Sequence, residues 1–260
     1  MRRIIAVTVP HAACPPASDR PAWAATGEHA CDLCGPRSGR RLAEALRPRW
    51  RLGQVRLIEA DVPRTTLDMN RRPSRGSAWR RGVADVLSGG SVACLIDAHS
   101  YPREYAPFFG CDVVLYTETE RAVARWQSEL ALAVEAGGRL RCGMVANPDT
   151  TDLIQDAHER GVPAVLIEFS EGLDEPSLRD ACERIATCVV AAADAGRLTC
   201  PPVCRACRTA AAPRYRSCCG GCSPRAVYCS RECQAADARR HAAEDACPWW
   251  AARRGGASLP

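Results

Sequence analysis

Short β-branched apolar runs alternate with helical stretches over most of the chain, and that alternation limits the folds open to it. The runs Ile4–Val9, Val55–Ile58, Val92–Ile96, Val113–Tyr116, Arg141–Val145 and Ala164–Phe169 read as buried strands bounded by turn residues. Between them, Gly39–Leu46, Ala78–Leu87, Glu118–Ala136, Thr151–Arg160 and Pro176–Ala195 carry helical patterns, with Ser77, Thr117 and Ser177 as candidate N-caps. Strands that are apolar throughout need helices on both faces. The expected class is therefore α/β: a mostly parallel sheet flanked by helices. In such sheets ligands bind at the carboxyl ends of the strands, so polar residues there carry the search for a site.

Composition narrows the chemistry. All 35 basic residues are Arg and none is Lys, which excludes a lysine Schiff base, a P-loop lysine and a Ser/Lys dyad. A substrate carboxylate would have to be gripped by Arg. Met1-Arg2-Arg3 followed by Ile4–Val9 and Pro10 is too short for a signal-peptide core and reads as a strand. No run of 18 apolar residues occurs, so no membrane-spanning helix is expected.

Four polar clusters follow strands: Val9-Pro10-His11, Asp68-Met69-Asn70-Arg71, Asp97-Ala98-His99-Ser100, and Glu168 after Val165-Leu166-Ile167. Two His at strand ends with an acid suit a zinc ion with an open position, and such an ion makes water nucleophilic near neutral pH. A separate Glu can take the water's proton and pass it to a leaving amine. Arg grips a carboxylate bidentately, and a neighbouring Asn adds a hydrogen bond. Alone, a strand-end His is commonly structural and Asn-Arg is commonly a surface loop. Their recurrence at successive strand ends argues for a site.

VPHAACP, LDMNRRPSR, LIDAHSYP and AVLIEFSEG, in this order and spacing, resemble the N-formylglutamate amidohydrolase family. That family shares its fold with zinc-dependent carboxypeptidases. The resemblance covers about residues 3–190. It implies a metal-dependent hydrolase acting on an amide beside a carboxylate-bearing amino acid. It assigns His11 and His99 to the metal, Asn70 and Arg71 to the carboxylate clamp, and Glu168 to the general base.

The third metal ligand stays open. The carboxypeptidases place a Glu three residues after the first His, where this chain has Cys14. Asp32 is favoured, with Glu28, His29 and Cys14 as alternatives. Cys31 and Cys34 are a second zinc half-site, a redox pair or two unconnected thiols. Asp97 lies two residues before His99, hence on the same strand face, where it orients a ligand His or caps the strand. Tyr101 and Arg103 are candidates to line the site. Arg64, Arg72, Arg75, Arg80 and Arg81 form either a solvated face or a basic mouth for an anionic substrate.

The composition changes near Ala195–Val203, which places a hydrolase domain at 1–197, a linker at 198–203, a zinc module at 204–247 and a tail at 248–260. The module reads Cys204-x2-Cys207-x11-Cys219-x2-Cys222-x6-Cys229-x3-Cys233-x7-His241-x5-Cys247, enough donors for two tetrahedral zinc ions. So short a segment has little core, and metal must supply much of its folding free energy. Tyr228-Cys229-Ser230-Arg231-Glu232-Cys233-Gln234 with His241 resembles the MYND zinc finger. That resemblance implies interleaved ligation: Cys204, Cys207, Cys229 and Cys233 on one ion, and Cys219, Cys222, His241 and Cys247 on the other. It also implies recruitment of protein partners. Five residues rather than three separate His241 from Cys247, so the helix must end or bend between them, as Pro248 permits. Thiolate zinc cancels much of the segment's positive charge and stacking aromatics are scarce, which disfavours nucleic acid.

The expected function is a zinc-dependent amidohydrolase cleaving an N-acyl, specifically N-formyl, amino acid. It would carry one catalytic and two structural zinc ions, a small anionic substrate, a protein partner on the finger and no membrane association. Reduced thiolate ligands place it in a reducing compartment, cytoplasm or nucleus. The alternatives are carboxypeptidase or deacylase chemistry on another acyl-amino acid, and an inactive adaptor acting through the finger.

Overall fold

The computed structural model describes residues 3–13, 35–63, 69, 74, 76–103, 110–117, 124–146, 152–200, 216–217, 227–228, 232–233 and 235–236. Six strands form one sheet: β1 (Arg3–Val9), β2 (Gly53–Glu59), β3 (Val92–Tyr101), β4 (Val113–Thr117), β5 (Cys142–Ala146) and β6 (Ala164–Ser170). Their order across the sheet is β2-β1-β3-β6-β4-β5. β2, β1, β3 and β6 run parallel, β4 meets β6 antiparallel, and β5 runs parallel to β4. The sheet is mostly parallel, as the apolar runs predict.

Among the described residues five helices cover it: α1 (Gly35–Leu46), α2 (Ala78–Ser88), α3 (Arg125–Glu135), α4 (Asp152–Glu159) and α5 (Glu175–Asp194). On one face, α1, α3 and α5 pack Leu42, Leu46, Trp126, Leu130, Ile185 and Val189 against Ile5, Val7, Val9, Ile96, Ala98, Ile167 and Phe169. On the other, α2 and α4 pack Trp79, Val83, Leu87, Leu153 and Ile154 against Ala6, Leu95, Ala164 and Leu166. Residues of each central strand alternate between these cores, which is why the strands show continuous apolar runs. Gly39 lets α1 lie close on β1: a Cβ there would stand 2.4 Å from Val9 Cγ2.

Strand and helix ends show where local signals mislead. β3 does not stop at Ile96 but runs to Tyr101, because Asp97 and His99 find polar partners without leaving the sheet. Ser77 caps α2, accepting from the Arg80 backbone N–H at 3.1 Å. Ser177 is not the cap of α5. Asp174 is, accepting the Ser177 N–H at 2.8 Å, with Pro176 in the first turn. Thr117 ends β4, and the residue preceding α3 is Ala124, whose N–H donates to Gln127 Oε1 at 3.0 Å.

Leu198 packs on the α1–α3–α5 core, and the Thr199 carbonyl accepts from Trp126 Nε1 at 2.9 Å, so the chain stays seated on the first domain through that residue. Further on, β7 (Arg216–Ser217) and β8 (Val227–Tyr228) pair antiparallel. Among the described residues no helix is long and apolar enough to cross a membrane.

Candidate functional site

β1 lies between β2 and β3, so the chain leaves β1 toward one edge and returns on its other side. The carboxyl ends of β1 and β3 therefore border the crevice where such sheets bind ligands. His11 sits just past the end of β1 and His99 near the end of β3, both buried. Their ring centroids are 4.9 Å apart and their planes are inclined at 50°. The sequence places these two imidazoles at strand ends; the sheet order brings them together.

The third member comes from the next strand. β3 and β6 pair in parallel, and His99 is the register partner of Glu168. Register partners in parallel strands share a face, so Glu168 stands beside His99 on the α2/α4 side. Glu168 is half-buried.

Beneath the histidines is a buried polar chain that the motifs only half reveal. Asp97 Oδ2 lies 3.1 Å from His99 Nε2, and Asp97 Oδ1 accepts from Thr8 Oγ1 at 2.7 Å. Asp97 and Thr8 are fully buried. Of the two roles open to Asp97, orienting His99 is the one that the geometry carries. A carboxylate opposite Nε2 favours the tautomer protonated there, which leaves the Nδ1 lone pair to face an ion. No motif marks Thr8; its one signal in the sequence is a hydroxyl within an otherwise apolar strand.

Ser100 points to the other face. Its hydroxyl accepts from Gly35 N at 3.1 Å and donates to Glu171 Oε1 at 3.0 Å, tying the start of α1 to the end of β3. Tyr101 is buried, and its hydroxyl donates to the Cys111 carbonyl at 2.6 Å. Burial pushes the Tyr101 phenol well above its usual range, and the Cys111 thiol, Asp112 and Glu168 add to the shift while a hydrogen bond with Ser170 opposes it. It therefore stays neutral, packed with Val114 of β4. Arg103 is exposed, its side chain lying over Gly172.

Arg80 belongs neither to a solvated face nor to a basic mouth. It is 3% exposed, paired with Asp156 of α4, and donates through Nη1 to the Met69 carbonyl at 3.2 Å. Arg81 is exposed. Arg64, Arg72 and Arg75 lie outside the described residues, as do Asn70, Arg71, Cys14, Glu28, His29, Cys31, Asp32 and Cys34. Among the described residues no group of three His, Cys, Asp or Glu is gathered as a metal site. The donors of the pair in place, two buried imidazoles at adjacent strand ends, fit a zinc ion that takes its remaining ligand from elsewhere.

Of the proposed finger ligands, Cys233 is described and half-buried; Cys204, Cys207, Cys219, Cys222, Cys229, His241 and Cys247 lie outside the described residues. Cys94, Cys142 and Cys182 behave as small apolar side chains. Cys94 and Cys182 are buried, and burial pushes their thiols well above the usual range and that of Cys142 up to about 12.

No protein-family model matches the chain, and no curated protein matches it in sequence. Solved structures match it in fold. The gene product Atu2144 from Agrobacterium tumefaciens superimposes with a TM-score of 0.56 at 16% identity, over 75% of this chain and 91% of that one. The N-formylglutamate amidohydrolase from Ralstonia eutropha JMP134 gives a TM-score of 0.50 at 12% identity, over 75% of this chain and 94% of that one. The fold is thus an exopeptidase-like α/β fold with a six-stranded, mostly parallel sheet, shared with an amidohydrolase.

Proposed function

We propose that the chain is a metal-dependent amidohydrolase that cleaves an N-formyl amino acid, such as N-formylglutamate, into formate and the free amino acid. One observation carries the reading: His11 and His99 stand 4.9 Å apart at adjacent strand ends, with Glu168 in register beside His99. His11, His99 and Asp32 would hold the zinc ion. When bound, zinc polarises the substrate's acyl oxygen and lowers the pKa of water near it.

The chain's own residues supply the rest. Asp97, held by Thr8, keeps the His99 proton on Nε2. Glu168 takes the proton of the attacking water at its carboxylate and delivers it to the amide nitrogen as the C–N bond breaks. Arg71 and Asn70 grip the substrate carboxylate, the role that falls to Arg in a chain without Lys.

Residues 204–247 form a MYND-type finger on this reading, holding two zinc ions in the interleaved sets above and recruiting a protein partner. The spacing of its seven Cys and one His supports that assignment.

The test is formate release from N-formylglutamate by the zinc-loaded full chain, beside a panel of N-acetyl and longer N-acyl amino acids. Glu168→Gln should retain zinc and lose activity by about 10²–10⁴-fold, the usual contribution of a general acid–base residue. No carboxylate release from any member of the panel would refute the enzyme reading. Release only from longer acyl groups would correct the acyl specificity. A Glu168→Gln chain as fast as wild type would remove the assigned base.

A further inference from the structure

We propose that Arg103 is a specificity-determining residue whose guanidinium receives the second carboxylate of an acidic N-formyl amino acid. The inference rests on the amidohydrolase reading above and adds to it the residue that reads the substrate's side chain.

N-formylglutamate carries two carboxylates, and the clamp already assigned takes one. A second carboxylate that loses water in a crevice needs a fixed cation. In a chain without Lys that cation is an Arg. Other arginines described near the carboxyl ends of the strands are committed to the scaffold. Arg37 donates to the Leu173 carbonyl at 3.2 Å, and Arg81 donates to the Gly76 carbonyl. Arg40 pairs with Glu59 at 2.9 Å and Arg41 with Glu175 at 2.7 Å. Arg80 is buried against Asp156. Arg103 differs: among the described residues its guanidinium has no ion pair and no hydrogen bond.

Its place follows from the ladder that builds the site. β3 and β6 pair His99 with Glu168 and Tyr101 with Ser170, and the Glu171 N–H donates to the Tyr101 carbonyl at 2.9 Å. Further outward Arg103 meets Gly172. These two residues stand four positions past His99 and Glu168, so at most about 13 Å of extended chain separates the two levels. A glutamyl side chain and an Arg side chain together cross that interval.

Arg103 is also seated. A Cβ built on Gly172 would stand 2.6 Å from Arg103 Cδ, 2.9 Å from Cγ and 3.2 Å from Cβ. The stem therefore lies against the bare glycine while the residue stays exposed. A stem held in this way loses less freedom on binding, and the planar fork matches a carboxylate. Glu171, the acid beside Gly172, is engaged through Oε1 with Ser100 Oγ at 3.0 Å.

The experiment uses the zinc-loaded full chain with Arg103→Ala, Arg103→Lys, Gly172→Ala and the Arg103→Ala/Gly172→Ala double variant. Arg125→Ala, at an exposed ion pair with Glu129, is the control. kcat/KM is measured on N-formylglutamate and on N-formylglutamine, which has the same shape without the charge. Calorimetric titration with disodium glutarate gives a readout that needs no turnover.

Wild type should prefer N-formylglutamate, and Arg103→Ala should lower that preference about tenfold, the scale of a lost hydrogen bond to a charged group. Arg103→Lys should restore part of it. Gly172→Ala displaces the stem but keeps the charge, so it should lower the preference too, and the double variant should fall no further than Arg103→Ala. Glutarate binding should weaken in Arg103→Ala and hold in Arg125→Ala. Equal losses on both substrates overturn the proposal, since that is a general structural effect. A wild type without preference for the acid overturns it and leaves the amidohydrolase reading standing. If neither substrate is hydrolysed, the enzyme reading fails and glutarate judges Arg103 alone. No binding by wild type, or binding that Arg103→Ala does not weaken, then overturns its role.

Discussion

Asp97→Asn changes one group in the floor of the site, and its consequence follows from two distances. Asp97 accepts from Thr8 Oγ1 at 2.7 Å with one oxygen and faces His99 Nε2 at 3.1 Å with the other. The residue is fully buried, so no bulk water replaces a lost partner. If the Asn keeps its oxygen toward Thr8, its NH2 opposes Nε2. His99 must then move its proton to Nδ1, the nitrogen an ion needs unprotonated. If the amide flips, Nε2–H keeps an acceptor, but a neutral one, and charge-assisted bonds are about twice as strong as neutral ones. Partners of metal-binding histidines typically account for 10–100-fold in metal affinity. That corresponds to about 1.4–2.8 kcal/mol. The assay is zinc retained by the full chain against a graded chelator. Asp97→Asn should lose one zinc equivalent at a chelator concentration about 10–100-fold below that needed by wild type. Thr8→Val should shift the same step in the same direction by less. An Asp97→Asn chain that gives up zinc on the wild-type curve would refute the argument that Asp97 prepares His99 for a metal.

Other outcomes test the scaffold and the finger. Gly39→Ala brings a Cβ to 2.4 Å of Val9 Cγ2, and overpacking of this kind costs ~1–3 kcal/mol against ~1 kcal/mol gained in helix propensity. Thermal unfolding should show a net loss of stability; a rise would mean that α1 shifts freely on β1. The Cys94 and Cys182 thiols should resist iodoacetamide at pH 8 in the native chain and react after denaturation. The buried thiols also set a pH dependence. Unfolded thiols ionise near 9.0 while native Cys142 holds its proton to about 12. Above pH 9 the unfolded state binds fewer protons, so stability falls as pH rises from 9 toward 12. Urea midpoints at pH 8 and pH 10 check the sign. In the proposed finger, Cys204→Ser and Cys219→Ser should each weaken a different zinc ion; metal analysis showing that either variant weakens both ions equally would contradict the proposed interleaved sets.

Ser100 and Glu171 add a link between site and scaffold. They connect the first amide of α1, that of Gly35, with the ends of β3 and β6, the strands that bear His99 and Glu168. Residue 32 lies only three positions before that helix start. Zinc content of Asp32→Ala tests the proposed role of that residue as the remaining donor.

The class of fold was legible because it follows from local pattern. A strand buried on both faces must be apolar at every position, and Ile4–Val9, Val92–Ile96 and Ala164–Phe169 are nearly so. The period-two relation between Asp97 and His99 was legible for the same reason, being a property of a single strand. Helix ends were less so: Ser177 and Asp174 are both good caps, and only the turn actually formed selects Asp174. What the sequence could not determine is adjacency. Nothing local states that β6 inserts between β3 and β4, or that β4 reverses against it, yet that order alone sets Glu168 beside His99. Arg80 looked like surface charge because its partners, Asp156 and the Met69 carbonyl, come from segments brought together only when α2 and α4 pack on one face. Periodicity is fixed by neighbours along the chain, whereas register and burial of charge are fixed by which elements meet across it. The candidate ligands therefore belong to the sequence, and the site belongs to the tertiary structure.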